Sequence, residues 1–186
     1  MNEHPTQANR TDWFLNPDRT ALTFDVGHLF GLIRVRGHFG KVSATARSSL
    51  DGLLERLEVT VDASSLDTKV RRRDIHLIGK DFLHAAEHPV MTFRSTEMAP
   101  RPAAPSGVEP SSKRRYRVTG DLTIRGMTHE AHFDLEVSRV SDDRMTATLF
   151  GSLCRRQWGI TFGLPVIGDE VRFSATLEAA PASLCA

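Results

Sequence analysis

The sequence predicts an all-β fold, an antiparallel barrel of about eight strands with one or two short helices between strands. Eight stretches of the chain alternate apolar and polar residues, and no long helical pattern competes with them. So many half-buried strands need to close on themselves or stack as two sheets, because an open edge promotes aggregation. A chain of 186 residues is long enough for one domain with a substantial core.

The N-terminal half begins with polar residues 1–11, which we expect to be disordered. Strands follow where apolar side chains recur at every second position, because successive side chains of a strand point to opposite faces. The predicted inward positions are Leu22, Phe24 and Val26 in the first long strand, Ile33, Val35, Gly37 and Phe39 in the next, and Leu57, Val59 and Val61 after a turn at Asp51-Gly52.

The strand period lapses between Ser64 and Glu87, where the apolar residues are spaced nearer to helical turns. This spacing predicts one or two short helices lying over the sheet. Residues 99–112 hold four prolines among small residues, which is typical of a flexible loop.

The C-terminal half resumes the strand pattern, and its clearest alternation runs from Tyr116 to Ile124. An irregular stretch is expected at Arg155–Gly168, because it contains several glycines and a proline. The barrel domain is thus predicted at 12–180, followed by a tail at 181–186. The strands predicted here are Arg115–Arg125, His129–Val140, Arg144–Leu153 and Glu170–Ala179.

The predicted inward faces mix bulky side chains with small ones. A barrel of about eight strands can fill its own interior or hold one small ligand, and small inward side chains favour the ligand. The alternative is that the glycines mark bulges or tight bends, and the pattern alone does not decide between the two. The small inward residues are Gly37, Gly120, Ala131, Ala147, Gly151 and Ala175.

Composition and charge exclude several classes of partner. The net charge is +1, which leaves no electrostatic footprint for nucleic acid or an anionic membrane. The apolar runs are too short to span a bilayer, so no stable membrane insertion is expected. No secretory signal is visible at the N-terminus, and only Cys154 and Cys185 are present. These features predict a cytoplasmic protein, with a periplasmic or secreted one less favoured.

The sequence offers no strong catalytic or metal motif. His84 and His88 are four residues apart, but His88 precedes Pro89, where helix is disfavoured. We therefore predict no metal site. A Gly-x-Ser-x-Gly elbow and a Gly-rich phosphate loop are both missing from the sequence. The basic run Arg71–Arg73 beside Asp74 favours a solvated face with one ion pair over an anion-binding rim at a barrel mouth.

Several segments together match a known family. The most specific are Arg73-Asp74-Ile75-His76-Leu77, Asp81-Phe82 and the stretch from His88 to Ser95. Weaker matches are Phe24-Asp25-Val26-Gly27-His28, Gly37-His38-Phe39, Ser65-Leu66-Asp67-Thr68, Gly120–Gly126 and Arg155–Ile160. On these motifs the chain resembles the YceI-like proteins, a family described as polyisoprenoid-binding with a lipocalin-like barrel. The resemblance covers about Trp13 to about Glu178, with departures at Gln157, at Trp158 and in the Pro-rich segment.

The resemblance implies a long apolar tunnel that takes an isoprenoid chain, such as the tail of a quinone or a polyprenyl compound. It carries over no catalytic residue and no cofactor beyond the bound lipid itself. We therefore predict non-catalytic binding, and transport or sequestration, of an amphiphilic isoprenoid lipid. Two alternatives stay open: an enzyme acting on a hydrophobic substrate with His76 or His28 as acid–base group, and an interaction domain with a filled barrel. Whether the protein forms a homodimer is also open.

The predicted site residues divide into an apolar lining and a polar mouth. Head-group candidates at the mouth are Arg73, His76, His28 and Arg155, while Asp74 is expected either there or paired with Arg73. Leu77 and Phe82 are expected to cap the tunnel, and Trp158 to pack at one end. The predicted tunnel wall consists of Phe24, Val35, Phe39, Val59, Phe93, Leu122, Phe133, Leu135, Leu149 and Phe173.

Overall fold

The computed structural model describes residues 10–16, 20–49, 51–102, 113–141 and 144–181. The described residues form one antiparallel sheet and one α-helix, which confirms the predicted all-β barrel. The strands are β1 (Thr11–Leu15), β2 (Ala21–His28), β3 (Ile33–Phe39), β4 (Val42–Ser48), β5 (Leu54–Asp62), β6 (Leu66–Asp67), β7 (Val90–Arg101), β8 (Lys113–Ile124), β9 (Met127–Ser141), β10 (Arg144–Cys154) and β11 (Ile167–Pro181).

The eleven strands occupy eight positions around a closed barrel. Three positions are each shared by two consecutive segments: β1 with β2, β3 with β4, and β5 with β6. The remaining five strands follow one another around the ring and close it, because β11 pairs with both β1 and β2. Every neighbouring pair is antiparallel, so short connections suffice. The prediction of about eight strands is therefore confirmed.

The ring of backbone hydrogen bonds is incomplete on one side. β6 pairs with β3 at only two positions, His38↔Asp67 and Phe39↔Leu66. Within the described residues, the first half of β3 is therefore paired only with β2. The helix α1 (Arg71–Ile78) follows β6 directly and lies at this side of the barrel.

The helix lies where the strand period lapses in the sequence, which confirms the predicted short helix. Leu77 and Ile78 pack against the barrel core, whereas Ile75 points to solvent. The helix ends at Gly79, and a series of turns leads to β7. No helix within the described ranges is long and apolar enough to cross a bilayer.

Several element ends differ from the sequence-based bounds. Thr11 already belongs to β1, and β11 begins at Ile167 and ends at Pro181. β7 continues through Arg101 because its pairing with β8 runs on to Arg115, so residues 99–101 are strand instead of loop. The rest of the predicted Pro-rich loop, 103–112, lies outside the described residues, as do 1–9 and 182–186.

Candidate functional site

A large cavity lies inside the barrel, on the side covered by α1. Its volume is about 860 Å³, which falls within the usual range for pockets that hold a small molecule. Inward side chains of every strand from β2 to β11 form most of its wall. The helix α1, the turns after it and the segment between β10 and β11 contribute the rest. The wall is almost entirely aliphatic and aromatic, so the cavity suits an apolar ligand.

The structure places nearly all of the predicted lining residues on this wall. Nine of them come from strands and share the inward parity that the sequence pattern indicated, while Leu77 comes from α1 and Phe82 from the turns that follow it. The lining includes Phe24, Val35, Phe39, Val59, Leu77, Phe82, Phe93, Leu122, Phe133, Leu149 and Phe173.

Two predicted lining residues, Leu135 and Trp158, do not reach the cavity. Leu135 has the correct parity, but it is the cross-strand neighbour of Tyr116 and lies deeper in the packed core. Trp158 sits in a 3-10 turn that follows β10, where its indole N–H donates to the Leu122 carbonyl at 3.1 Å. Trp158 therefore holds the backbone of the wall residue Leu122 without lining the cavity itself.

The end of the barrel opposite α1 is solid. Trp13, Tyr116, Val118 and Leu135 are all fully buried there and are not part of the cavity wall. The Tyr116 hydroxyl accepts a hydrogen bond from the Leu54 backbone N–H at 3.2 Å. The prediction of a tunnel through the molecule is thus wrong: the described interior is a blind pocket, because bulky inward residues converge at this end.

The small inward residues serve the cavity indirectly. A Cβ on Gly37 would come within 2.6 Å of the Phe24 ring, and one on Gly120 within 2.7 Å of the Phe93 ring. These glycines therefore leave room for two wall rings and, at Gly120, for the Arg94 carbonyl as well, since a side chain would displace them. Of the small residues singled out in the sequence, Ala175 alone lines the cavity.

At the cavity mouth, a polar network joins α1 to the end of β6. Asp74 accepts hydrogen bonds from both the backbone N–H and the hydroxyl of Thr68, and Arg73 donates to the hydroxyl and carbonyl of the same threonine. No ion pair between Arg73 and Asp74 occurs among the described residues, so the pairing considered from the sequence is replaced by a shared threonine. This network pins the start of α1 over the pocket.

We expect Asp74→Ala to destabilise the protein by about 1–3 kcal/mol, because the buried amide and hydroxyl of Thr68 lose a charged acceptor. Urea unfolding measures the loss, and hydrogen exchange should show faster exchange confined to α1. Asp67→Ala is the matched control, since Asp67 bonds only the exposed Lys69 on the solvent side. Unchanged exchange in α1 would contradict a pinning role for Asp74.

His76 lies at the mouth between two aromatic rings. Its ring packs edge-on against Phe82 at 5.1 Å and against Phe162 at 4.9 Å between centroids. Its Nε2 lies 3.2 Å from an Asp81 carboxylate oxygen. His76 therefore combines an apolar setting with a polar atom that is fixed in direction, which suits contact with the polar end of a ligand.

Arg155 is a buried cation at the edge of the cavity. Its side-chain nitrogens donate to the carbonyls of Gly168, Ile160 and Ile167 at 2.8–2.9 Å. Burial lowers the pKa of its guanidinium, while the nearby Asp169 carboxylate acts in the opposite sense. These bonds hold the irregular segment after β10 against the barrel, so the primary role of Arg155 is to shape the mouth.

Some residues at the mouth were predicted from the sequence, and others were missed. His28, at the end of β2, lines the cavity as predicted, and Arg72 and Val70 line it as well. The parity of β11 could have identified Val171, because it shares the face of Phe173. Ile167 has the same parity, but it precedes Glu170, where the predicted strand began. Ile160 could not be found this way, because the segment that carries it has no periodic pattern.

One cluster of potential metal ligands lies away from the cavity. The side-chain donor atoms of His84, Glu87 and His88 all lie within 4.8 Å of one another. His84 Nδ1 is 3.3 Å from a Glu87 carboxylate oxygen, so an ion pair accounts for part of the arrangement. The sequence did not predict this cluster, because the proximity of His84 and His88 depends on a turn at His84 with positive φ.

Comparison with solved structures finds the same fold. The chain superposes on BcnA from Burkholderia cenocepacia with a TM-score of 0.74 and 22% identity, covering 89% of this chain and 99% of that one. It superposes on a polyisoprenoid binding domain from Saccharophagus degradans with a TM-score of 0.71 and 16% identity, covering 91% and 98%.

Sequence comparisons agree with this likeness. The family model described as YceI-like domain matches residues 13–179. Among curated proteins, the UPF0312 protein SA2479 of Staphylococcus aureus (strain N315) is 28% identical over 181 residues, which is 90% of this chain and 96% of that protein. The matched region includes every strand and the helix that surround the cavity.

Proposed function

Because the chain belongs to the YceI-like domain family, we propose that its cavity binds one amphiphilic isoprenoid lipid, an isoprenoid quinone or a polyprenyl compound. The protein would carry or sequester this lipid without catalysing a reaction. The observation that carries the proposal is a blind apolar pocket of about 860 Å³ whose charged residues are confined to its mouth. A structural neighbour described as a polyisoprenoid binding domain supports the same ligand class.

The driving force comes from burial of the hydrocarbon. Each methylene removed from water contributes about 0.8 kcal/mol, so a prenyl tail binds without needing a polar contact. Rings of Phe24, Phe39, Phe93, Phe133 and Phe173 supply a large share of the contact surface. The pocket does not have to rearrange to bind the tail, because several of these rings already pack against one another. The ring centroids of Phe93 and Phe133, for example, lie 4.8 Å apart.

The closed end sets the orientation of the lipid. A chain that enters a blind pocket does so tail first, because the polar head would lose its hydration inside an apolar wall. The head group then remains beside Arg72, Arg73 and His76 at the mouth. An arginine suits phosphate or quinone oxygens, since its planar group presents several N–H donors at once.

The chemistry of the wall favours binding over catalysis. Its described residues include no carboxylate, serine or cysteine, and Thr92 is the one hydroxyl-bearing side chain among them. The pair formed by His76 and Asp81 lies at the half-exposed mouth. An enzyme acting on a hydrophobic substrate would have to use that pair or His28, which lines the cavity, and a turnover assay tests this alternative.

Lipid extraction from the natively purified protein tests the proposal directly. We expect mass spectrometry to find one isoprenoid compound per protein molecule, and to find none in a parallel extract of the unfolded protein. Conversion of the compound to a product on incubation would favour an enzyme instead. An extract that contains only ordinary phospholipid, or no lipid, would refute the isoprenoid assignment.

A further inference from the structure

We infer that the rim of the pocket mouth docks on the surface of an anionic phospholipid bilayer. The rim consists of the β2–β3 tip (residues 29–32), the first turns of α1 (residues 70–75) and the loop before β11 (residues 162–166). Any role of docking in loading or releasing the bound lipid rests on the proposed function. Docking itself depends only on the outer surface of the protein. The inference is carried by exposed apolar residues, a strained turn, and two arginines that have no ion pair among the described residues.

The β2–β3 tip presents bulky apolar side chains to solvent. Phe30 is 75% exposed and Leu32 is 85% exposed, and Leu29 beside them is exposed as well. Isolated exposed apolar residues are common on protein surfaces, but a contiguous group of them marks an interaction site.

The backbone of the same tip is strained. The Gly31 N–H donates to the His28 carbonyl at 3.2 Å, and the two residues between them have φ of 49° at Leu29 and 57° at Phe30. Such a turn favours Asn-Gly, and a bulky residue with positive φ is an outlier. Folding alone would favour small polar residues here, so the turn holds two large apolar side chains outward at a cost in stability.

Other apolar residues continue the rim around the mouth. His28 pairs with Ile167, so the loop with the exposed Phe162 and Leu164 joins the barrel at the base of the tip. Phe162 also packs against His76 at the mouth. Ile33 and Val70 are about half exposed and also line the cavity. Apolar side chains therefore occur both on the outer rim and on the adjoining part of the cavity wall.

The charges on the rim fit an anionic partner. Arg71 and Arg72 in the first turn of α1 are exposed, and in the described part of the chain no carboxylate lies within ion-pair distance of either. The nearby acidic groups are already engaged, Asp67 with Lys69 and Asp74 with Thr68.

A second copy of this chain fits the rim poorly. A two-fold contact through the rim would bring the same arginines of both copies together. Anionic lipid head groups supply the missing counter-charge, and the neighbouring apolar side chains reach the acyl boundary.

Vesicle cosedimentation tests the inference with the whole protein. The probes are vesicles of phosphatidylcholine alone and vesicles of equal parts phosphatidylcholine and phosphatidylglycerol. We expect binding to the mixed vesicles that weakens with added salt. The double substitution Leu29→Asn with Phe30→Gly should reduce this binding by about tenfold or more, while thermal stability stays equal or rises because the turn is relaxed.

Two further variants complete the test. Arg71→Gln with Arg72→Gln should weaken binding to the mixed vesicles by about twentyfold and remove most of its salt dependence. Val140→Asn is the matched control, because Val140 is an exposed apolar residue at the opposite end of the barrel. It should bind as the unmodified protein does.

Several outcomes would overturn docking. Failure of the unmodified protein to bind the mixed vesicles refutes docking, as does a tip variant that still binds them. A tip substitution that converts a dimer to a monomer in light scattering would assign the rim to a second copy. Isoprenoid recovered from a protein that fails to bind vesicles leaves the proposed function intact, and vesicle binding by a protein without isoprenoid leaves the docking surface intact.

Discussion

Ala175→Trp should abolish lipid retention, with bound isoprenoid reduced by about tenfold or more. Ala175 lies on β11, is buried, and lines the cavity next to its cross-strand neighbour Leu149. A tryptophan there projects into the pocket and occupies the volume that a prenyl tail would fill. Because the cavity can accommodate part of the new side chain, we expect unfolding free energy to change by only about 1–2 kcal/mol.

The matched control lies at the next position of the same strand. Thr176 is exposed and points outward, so Thr176→Trp makes the same substitution outside the pocket. It should retain as much lipid as the unmodified protein. Mass spectrometry of native extracts measures retention, and urea unfolding verifies that both variants fold. A folded Ala175→Trp variant with normal lipid content would show that the cavity is not where the lipid binds.

Arg155→Met should destabilise the protein by about 3–5 kcal/mol, the largest loss of stability that we expect from a single change at the mouth. Methionine keeps the unbranched stem but leaves three inward carbonyls, those of Gly168, Ile160 and Ile167, without their donors. Arg155→Lys should recover only part of the loss, because one ammonium group cannot span three separate acceptors.

The neighbouring residue provides the control for Arg155. Arg156 is 66% exposed and pairs with Asp169, which is 20% exposed. Its backbone N–H also donates to that carboxylate, a bond that a methionine keeps, and an ion pair open to solvent on one side contributes about 0–1 kcal/mol. Arg156→Met should therefore cost little in urea unfolding. Equal losses for the two methionine variants would contradict a structural role for the buried guanidinium. A large loss at Arg155 alone would mean that lipid assays of this variant report on stability as well as on binding.

The sequence pattern identified which residues face inward but not how deep they lie. Phe24, Phe133 and Phe173 were found because side chains alternate along a strand. Leu135 has the same parity as Phe133, yet it belongs to the solid end, since depth along a barrel depends on how neighbouring strands are staggered. The same limit explains why a tunnel was predicted where the structure has a blind pocket: Trp13 and Tyr116 meet only in the folded barrel.

Residues outside the periodic strands were harder to assign. The motif around Arg73 and His76 located the mouth through family resemblance, but hydrogen bonding to Thr68 could not be read from spacing. Arg155 was predicted as a head-group contact, whereas its three carbonyl bonds make it chiefly a support for the mouth. The sequence singled out the basic run Arg71–Arg73 but favoured a solvated face with one ion pair, and the net charge of +1 gave no reason to prefer a rim, because a total charge carries no information about position.

The short pairing between β3 and β6 means that the width of the opening and the architecture of the barrel are set by different elements. In a barrel closed by hydrogen bonds all the way round, bore width is set by strand number and stagger. Here, among the described strands, the first half of β3 pairs only with β2, and α1 lies beside β6 at this gap, so side chains on the helix set the width of the opening. Exchanging Leu77 for smaller or larger residues should therefore retune which molecules enter while the closed strands keep their architecture, which makes α1 the natural place to engineer selectivity.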